Sequence, residues 1–415
     1  MQMDSVKYLI IGGSAAGMAA AQTIRQQDAY GSIAVLSAEA DMPYFRPMIP
    51  YVVTGKKSAK DIMLSGNGPY VATGIQILTS ARADSVNADS KTVSINNTWR
   101  MSYDKVLFAT GSSPYIPPEI QGTDTNGVFA LRTLADARGM AARAEITDHA
   151  VMLGGGLLNL KAAFALLARG VKVTLVVYSP EVLSQLMEPE DAGLIRIALD
   201  RAGLKIKTGL AAEGILSDKK GVSGIALSDG SELPCKMVCI GKGVRPSTAF
   251  LSNSGIELDR GVVVDRHTAC NIPDAFSAGD AAVTFDPVTG QRITTGLWTN
   301  AVEMGRCAGY NITGKRTAYA GTFGIMNATQ VADEPFVSMG IVHTKGTDYE
   351  VHVSASGATY RKMVFSPDGN RLVGMTLIGD IAGAGMYRYV IRENMPVKEI
   401  KSLIISKKLH YGHFM

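Results

Sequence analysis

The residues most directly suited to chemistry lie at positions 7–25, KYLIIGGSAAGMAAAQTIR. Residues 8–11 form a short apolar run with the composition of a buried parallel strand. Gly12, Gly13, Ser14, Ala15, Ala16 and Gly17 follow as a turn of small residues, and residues 18–24 are good helix formers. Strand, small-residue turn and helix in this order make a dinucleotide-binding fingerprint, with Ser14 where a second glycine is usual. Gly12 permits the tight turn, Ser14 lets backbone N–H groups approach a pyrophosphate, and Gly17 permits close packing of helix on strand. The positive end of the helix dipole then faces the phosphates. A second apolar run, residues 32–36, ends just before Glu39, an acid placed to bind a ribose hydroxyl.

The unit recurs later in the chain. Residues 150–153 read as a strand, Gly154, Gly155, Gly156, Leu157, Leu158 and Asn159 as the turn, and residues 160–169 as a helix stopped by Gly170. Two such units imply two dinucleotides. The second copy departs from the pattern, because Asn159 stands for the third glycine and predicts looser packing of helix on strand. Val177-Tyr178-Ser179 offers neither an acid for a ribose nor an arginine for a 2′-phosphate. Charge therefore does not separate NAD from NADP, and the preference leans mildly to NADH.

Other segments must position these turns. Pro43, Pro47 and Pro50 fix a rigid path around Tyr44, Phe45 and Arg46 and exclude a helix start before Pro50. Such a path suits a wall beside a flat ligand. Residues 103–108 read as a buried strand ending in Ala109, Thr110 and Gly111, and residues 113–118 as a linker. Another strand enters a turn at Gly241, and a short one leads to Gly279 and Asp280. Residues 298–309, headed by Trp298, read as a helix, and residues 326–415 alternate like antiparallel strands before a helix and a basic tail. The expected fold is α/β, with two Rossmann-like dinucleotide-binding domains, the second inserted in the first, and a small α+β C-terminal domain. The bounds are 1–118 with 247–325, then 119–246, then 326–415.

With 415 residues, 46% hydrophobic and 19% charged, the chain has apolar material for more than one core and is not of disordered composition. A net charge of +4 is too small to indicate a nucleic-acid binder. No stretch is long and apolar enough to span a bilayer, and the opening MQMDSVK lacks the features of a signal peptide, so the expected location is cytoplasmic. Cys235, Cys239, Cys270 and Cys307 have neither zinc-ribbon nor redox-dithiol spacing and read as reduced structural thiols. Lys56, Lys57 and Lys60, with Lys401, Lys407 and Lys408 in the tail beside Tyr411 and Phe414, offer a basic surface for an acidic partner.

Four motifs taken in order, GGSAAG at 12–17, ATGSSP at 109–114, GGG at 154–156 and SAGD at 277–280, resemble the two-dinucleotide flavoprotein family related to glutathione reductase. Within it PYFRP at 43–47, LWTNA at 297–301 and GMTLIGD at 374–380 are similar to the NADH–rubredoxin reductase and ferredoxin reductase branch, and to the FAD half of an assimilatory nitrite reductase. The resemblance implies FAD and NAD(P)H as cofactors. It implies that Gly12, Ser14 and Gly17 hold the FAD pyrophosphate, Glu39 the adenosine ribose, and that Ala83 lies beside the adenine. Arg46 and Pro47 would border the isoalloxazine, Thr110 and Gly111 the middle of FAD, Asp280 the ribityl chain and Trp298 the pyrimidine end. Gly154, Gly156 and Gly241 would frame the nicotinamide dinucleotide.

Two departures bear on function. Disulfide-, coenzyme A- and peroxide-reducing members carry cysteine soon after the ribose acid, where this chain has Met48, Ile49 and Pro50. The implied chemistry is then flavin-only, without a protein nucleophile. Lys161 stands where relatives usually have glutamate, which reverses the charge near the nicotinamide. The implied function is passage of electrons between a nicotinamide nucleotide and an iron–sulfur or rubredoxin-type protein, as a free enzyme or a subunit of a larger redox complex. The alternatives are an NADH oxidase acting on oxygen or a small molecule, and a non-catalytic flavin-binding subunit with a degenerate nucleotide site.

Overall fold

The apolar run at the start of the chain is buried along its length, so it becomes the middle of the largest sheet. The computed structural model describes residues 4–64 and 73–414; readings of MQM at the start and of Met415 lie outside them. Strands β1 (Ser5–Ile11), β2 (Ile33–Leu36), β3 (Ile75–Leu78), β4 (Ala83–Asn87), β5 (Thr92–Ile95) and β6 (Trp99–Phe108) stand in the order β3-β2-β1-β6-β5-β4. The pairs β1–β2, β1–β6 and β2–β3 are parallel, with Ile11 in register with both Leu36 and Phe108. Helix α1 (Ala15–Gln27) makes the crossover from β1 to β2, and the short α2 (Ile49–Val53) follows the proline segment.

The chain leaves this sheet through β7 (Ser112–Pro114) and builds a second one from β8 (Val128–Phe129), β9 (His149–Leu153), β10 (Lys172–Val177) and β11 (Lys205–Thr208). Helices α3 (Leu134–Ala144), α4 (Leu157–Leu167) and α5 (Pro189–Arg201) accompany these strands. A small antiparallel sheet of β12 (Ala212–Asp218), β13 (Gly221–Leu227) and β14 (Glu232–Pro234) precedes β15 (Met237–Ile240), which completes the order β11-β10-β9-β15-β8. The chain returns through β16 (Val244–Pro246), antiparallel to β7, so exit and entry form one ribbon. After β17 (Val262–Val263), β18 (Ala275–Ser277) pairs with β6 in the first sheet. Next come β19 (Ala282–Phe285), β20 (Arg292–Ile293) and α6 (Trp298–Ile312).

Glycine decides how closely α6 meets α1. A Cβ at Gly305 would fall 2.2 Å from the Ala16 carbonyl oxygen, and one at Gly309 within 2.7 Å of the Thr23 Cβ. The last sheet contains β21 (Met326–Val331), β22 (Glu334–Gly340), β23 (Glu350–Ser356), β24 (Thr359–Phe365) and β25 (Leu372–Ile378), in the order β21-β22-β25-β24-β23. Helices α7 (Ala384–Arg392) and α8 (Lys401–Ile405) pack with it around Phe365, Met375, Tyr387 and Val390.

The structure differs from the sequence reading at two points and adds a turn that the sequence did not mark. Helix α4 starts at Leu157, so Asn159 lies inside the helix and not in the turn. A 3-10 turn over Arg46–Met48 and the start of α2 at Ile49 precede the expected limit at Pro50. Pro47 and Pro50 both occupy first-turn positions, where a missing N–H costs nothing. The β21–β22 hairpin carries Ala332 and Asp333 at φ +50° and +65°. That is the two-residue turn with both central residues left-handed, formed here without the Asn-Gly or Asp-Gly pair that usually announces it.

One buried ionic cluster ties the second sheet's helices to the last sheet. The Lys362 ammonium on β24, 2% exposed, donates to Glu188 and, at 2.8 Å, to the Val342 carbonyl, with Asp191 Oδ2 at 3.7 Å. Glu188 precedes α5 and also accepts from the backbone N–H groups of Thr344 and Lys345 at 2.7 and 3.0 Å. Burial alone would raise the Glu188 pKa; the bonds from Lys362, Thr344 and Lys345 outweigh it and bring it down to about 2. Asp191 is 1% exposed, its Oδ2 has no hydrogen-bond partner, and burial raises its pKa.

The two acids therefore act in opposite senses. Ionised Glu188 contributes stability above its unfolded value near 4.5, and that contribution is lost as pH falls toward about 2. Ionised Asp191 opposes folding at neutral pH. Glu188→Gln, which leaves a buried ammonium underpaired, should destabilise by about 3–5 kcal/mol. Asp191→Asn should leave the melting temperature unchanged or higher. Calorimetric scans of both variants at pH 7 check this, and an equal loss in both would contradict the division of roles.

Candidate functional site

Gly12 ends β1 with φ +122°, and a Cβ there would lie 2.0 Å from the Ala109 carbonyl oxygen at the end of β6. A Cβ at Gly17 would meet the Gly12 carbonyl oxygen at 1.9 Å. Gly13 faces the Ser37 Cβ at 3.1 Å. The turn is thus seated on its neighbouring strand, and α1 on the turn, at a distance open only to glycine. Ser14 is the N-cap of α1, yet its side chain makes no capping hydrogen bond and the first turn, with Ala15 and Ala16, contains no acid. By contrast α3 has a complete capping box between Thr133 and Asp136. An uncapped N-terminus at the carboxyl end of a central parallel strand fits a dinucleotide pyrophosphate, whose oxygens would accept from the free N–H groups.

Around this turn the structure gathers most of the residues named from the sequence. Gly279 has φ +76° and sits against Ala16, with 3.0 Å between a Cβ there and the Ala16 Cβ. The adjacent Asp280 accepts through Oδ2 from Ser112 at 2.7 Å and from Arg132 at 2.9 Å. Arg132 also donates through Nε to the Ser112 carbonyl at 2.9 Å. Thr110 donates to the Ser247 carbonyl at 2.8 Å, and Gly111 takes φ +69°. Trp298 heads α6 and meets Phe45 edge-on, with ring centroids 4.7 Å apart. Ala83 opens β4, opposite Ile95 in register.

Glu39 and Arg46 form an ion pair at 2.6 Å. The other Glu39 oxygen accepts from the Tyr44 hydroxyl at 2.6 Å, and that hydroxyl in turn accepts from the Leu134 N–H at 2.9 Å. Burial is the main cause that holds Tyr44 protonated. Arg46 donates as well to the Arg132 carbonyl at 2.5 Å, which fastens the proline segment, including Pro47, to the start of α3. Each Glu39 oxygen keeps a lone pair for a further donor. Sequence reasoning did not single out Arg132, Ser112 or the hydroxyl of Tyr44. The capping-box spacing of Thr133 and Asp136 marks a helix start, but nothing in the chain's order announces that the arginine before it turns toward Asp280.

The second crevice repeats the first. Gly154 ends β9 with φ +105°, and a Cβ there would lie 2.3 Å from the Gly241 carbonyl oxygen at the end of β15. The two turns flank the point where the order of the sheet reverses, the usual place for a dinucleotide in an open parallel sheet. Gly156 caps α4 without any side-chain bond, no acid stands in the first turn, and a Cβ at Gly156 would meet nothing within 4 Å. Free N–H groups over open space fit a second pyrophosphate. Asn159, 4% exposed, donates to the carbonyls of Leu153 and Gly154 at 3.0 and 2.7 Å. Its side chain fills the space a Cβ at Gly241 would need, 2.5 Å from the Asn159 Cγ. Helix and strand are therefore fastened through the amide.

Leu157 packs against a buried cluster, while Leu158 is 41% exposed. Lys161 and Lys242 are partly buried, make no ion pair among the described residues, and have pKa values lowered by burial. Lys242 runs past the turn, its Cδ 3.7 Å from a Cβ position at Gly154. Two desolvated cations with no acid to pair them favour an anionic ligand nearby. Burial pushes the thiols of Cys235, Cys239 and Cys270 up to about 12 and that of Cys307 to about 11. None is a thiolate at neutral pH. Among the described residues no cluster of His, Cys, Asp and Glu could hold a metal ion, and no helix is long and apolar enough to cross a membrane.

Comparison with known proteins agrees with this arrangement. The family model for pyridine nucleotide-disulphide oxidoreductases matches residues 6–305. The chain is 29% identical over 413 residues to the NADH-dependent phenylglyoxylate dehydrogenase subunit epsilon of Aromatoleum evansii, covering 99% of this chain and 97% of that one. It is 28% identical over 401 residues to the NADH oxidase of Methanocaldococcus jannaschii, covering 90% and 88%. Among solved structures it is similar to an NAD-dependent persulfide reductase from A. fulgidus, with a TM-score of 0.89, 25% identity, and coverage of 95% of this chain and 78% of that one.

The Asn159–Gly241 contact has a measurable signature. Gly241→Ala should destabilise the chain by about 1–3 kcal/mol, because the new methyl overpacks against the amide. Asn159→Gly should destabilise it by a similar amount through loss of two buried hydrogen bonds. In the double variant the methyl has room, so the two losses should fall short of their sum by about 1 kcal/mol or more. Urea unfolding of the four proteins of this cycle gives the coupling, and strict additivity would contradict the packing described.

Proposed function

This chain is an oxidoreductase belonging to the pyridine nucleotide-disulphide oxidoreductase family, and we propose that it passes electrons between NADH and an iron–sulfur or rubredoxin-type protein, as the flavin subunit of a larger redox complex. The observation that carries the reading is the pair of uncapped helix N-termini at the ends of β1 and β9, in a chain without cysteine before Cys235. Bound FAD supplies the conversion between two-electron nicotinamide chemistry and one-electron carriers. The protein's part is to hold, orient and shield. The N–H groups after Gly12, Gly13 and Ser14 bind the FAD pyrophosphate, Glu39 accepts from the adenosine ribose with the lone pairs left by Arg46 and Tyr44, and Ala83 lies near the adenine. Asp280, held by Arg132 and Ser112, accepts from the ribityl chain, while Pro47, Phe45 and Trp298 wall the ring system. Gly154, Gly156 and Gly241 frame the nicotinamide nucleotide, with Lys161 and Lys242 supplying positive charge.

The likeness to a subunit of an NADH-dependent dehydrogenase along nearly the whole of both chains supports the placement in a complex. A second reading, transfer to oxygen, is supported by the likeness to an NADH oxidase. The domain bounds we propose are 1–118 with 247–325 for the flavin unit, 119–246 for the nicotinamide unit and 326–415 for the last. Four free thiols, three of them buried and Cys270 partly so, support a cytoplasmic setting.

The purified protein should be yellow with non-covalent FAD. Asp280→Ala should weaken FAD retention by about 1.5–3 kcal/mol, the worth of a hydrogen bond to a charged group, and Asp280→Asn should be intermediate. Equilibrium dialysis measures this, and unchanged retention in the alanine variant would refute the role of Asp280. Stopped-flow reduction should proceed with NADH and, less well, with NADPH. Absence of flavin reduction by either nucleotide would remove the enzymatic reading, and rapid consumption of oxygen by the reduced protein would favour the oxidase.

A further inference from the structure

The sequence offers two lysine groups as a basic surface, and the structure separates them. In the tail, Lys401 is paired with Glu350 at 2.5 Å and Lys407 with Asp380. Phe414 packs edge-on against Tyr389, with centroids 5.9 Å apart. Most of that group's charge is neutralised within the last sheet. Lys56, Lys57 and Lys60 make no ion pair among the described residues; Lys57 lies only near enough to Asp61 to favour its ionised form.

These three lysines belong to a closed module over the flavin wall. Tyr44 bridges Met63, Phe45 N–H donates to the Ile62 carbonyl at 2.7 Å, and Leu64 N–H donates to the Pro43 carbonyl at 2.8 Å. Lys57 N–H donates to the Tyr51 carbonyl at 3.1 Å, which folds the lysines back beside α2. The inner side is anchored: Ile49, Pro50, Val52 and Val53 are buried, and Arg169 donates to the Val53 carbonyl at 3.1 Å. The outer side is apolar and exposed, with Met42 and Phe45 each 37% and Tyr51 45% exposed. Phe45 is also the residue that touches Trp298.

We propose that the outer side of residues 42–60 is the docking surface for an acidic, iron–sulfur-bearing protein, with Lys56, Lys57 and Lys60 steering its approach and Met42, Phe45 and Tyr51 making the apolar contact. The proposal rests on the electron-transfer reading above. Three exposed apolar side chains on the segment that carries three cations without an ion pair match a small carrier of opposite charge, and such redox encounters bury little area and depend on charge for their rate. A second copy of this chain is the poorer occupant, because a two-fold contact through the patch sets lysines against lysines.

Holoprotein reduced with NADH is mixed with oxidised rubredoxin as the acidic probe, over a range of NaCl concentrations. Reduction of menadione, small and uncharged, serves as the reference. Lys56→Glu/Lys57→Glu should lower the bimolecular rate to rubredoxin at low salt by about tenfold or more and flatten its fall with salt. Tyr51→Ser should lower the rate without changing the salt slope, and Lys408→Glu should leave it unaltered. A rate indifferent both to salt and to charge reversal overturns the proposal. Calorimetric binding of oxidised rubredoxin to the unreduced holoprotein gives a readout independent of electron transfer. Binding lost on charge reversal supports the surface even where NADH fails to reduce the flavin, a failure that would instead sink the electron-transfer reading. Binding that is absent, or unchanged by the reversal, overturns the surface. A dimer that dissociates on charge reversal would assign the patch to a second copy and overturn it as well.

Discussion

The architecture depends on one backbone contact made twice. At the end of β1 the Gly12 turn rests on the Ala109 carbonyl, and at the end of β9 the Gly154 turn rests on that of Gly241, with 2.0 and 2.3 Å to a Cβ that neither glycine has. Any side chain would lift the turn off the neighbouring strand and tilt the helix that follows. The contact fixes where each helix begins, and so where its uncapped N–H groups point. Gly17 and Gly305 extend the same logic outward in the first unit, since α1 closes on its own turn and α6 closes on α1 only because both lack a Cβ. The cofactor crevices are therefore consequences of backbone proximity, with side chains added at the rim.

The two units satisfy this constraint by different means. In the first, glycine at position 17 lets the helix backbone approach the turn. In the second, Asn159 occupies the corresponding place and supplies two hydrogen bonds to the strand carbonyls instead of empty space. The substitution that suggested loose packing in the sequence proves to be a fastening. Its cost appears across the crevice, where Gly241 must stay free of a Cβ for the amide to fit. The second unit thus needs two glycines across its crevice, Gly154 because of the Gly241 carbonyl and Gly241 because of the Asn159 amide.

Much of the fold could be read from the chain's order, for physical reasons that also mark the limit. Buried parallel strands are mostly apolar runs, so β9, β10 and the buried ends of β1 and β6 stand out against polar surroundings. The return of β18 to the first sheet followed from the order of motifs and the resemblance they carry. The antiparallel character of the last segment showed in its alternation, but the β21–β22 turn did not, because left-handed Ala332 and Asp333 are tolerated there without the residues that usually signal it. The start of α4 was placed late because glycines and a polar Asn159 read as loop, whereas the helix takes Gly156 as its cap. At the site, Asp280 and Glu39 were legible as acids after short strands. Tyr44 and Arg46 were legible as residues beside a ligand but not as partners of Glu39, because the proline path between them hides a pairing over five and seven residues. Arg132 was not legible, because its pairing with Asp280 joins segments that only the folded chain brings together.

Those pairs tie the segments of the site together. Arg46 joins the proline wall to Glu39 and to the Arg132 carbonyl, while Arg132 joins the entrance of α3 to Asp280 and Ser112. The first sheet, the exit ribbon and the second unit are thereby coupled through two guanidinium groups. At the far side, Lys362 couples α5 to the last sheet. The second unit is thus held by charge from two directions, and its crevice is set relative to the first by paired ions as well as by the β7–β16 ribbon. The β7–β16 ribbon is only a short two-stranded connection. The second unit is seated mainly through one apolar core that includes Ile49 and Val53 of α2, Leu134 and Met140 of α3, Leu160 of α4 and Phe336 of the last sheet, to which the ionic ties add. Electron exchange between two bound dinucleotides depends steeply on their mutual placement. That placement is built into the scaffold, by the apolar core that the two units share and by the arginines at the front and the buried lysine behind.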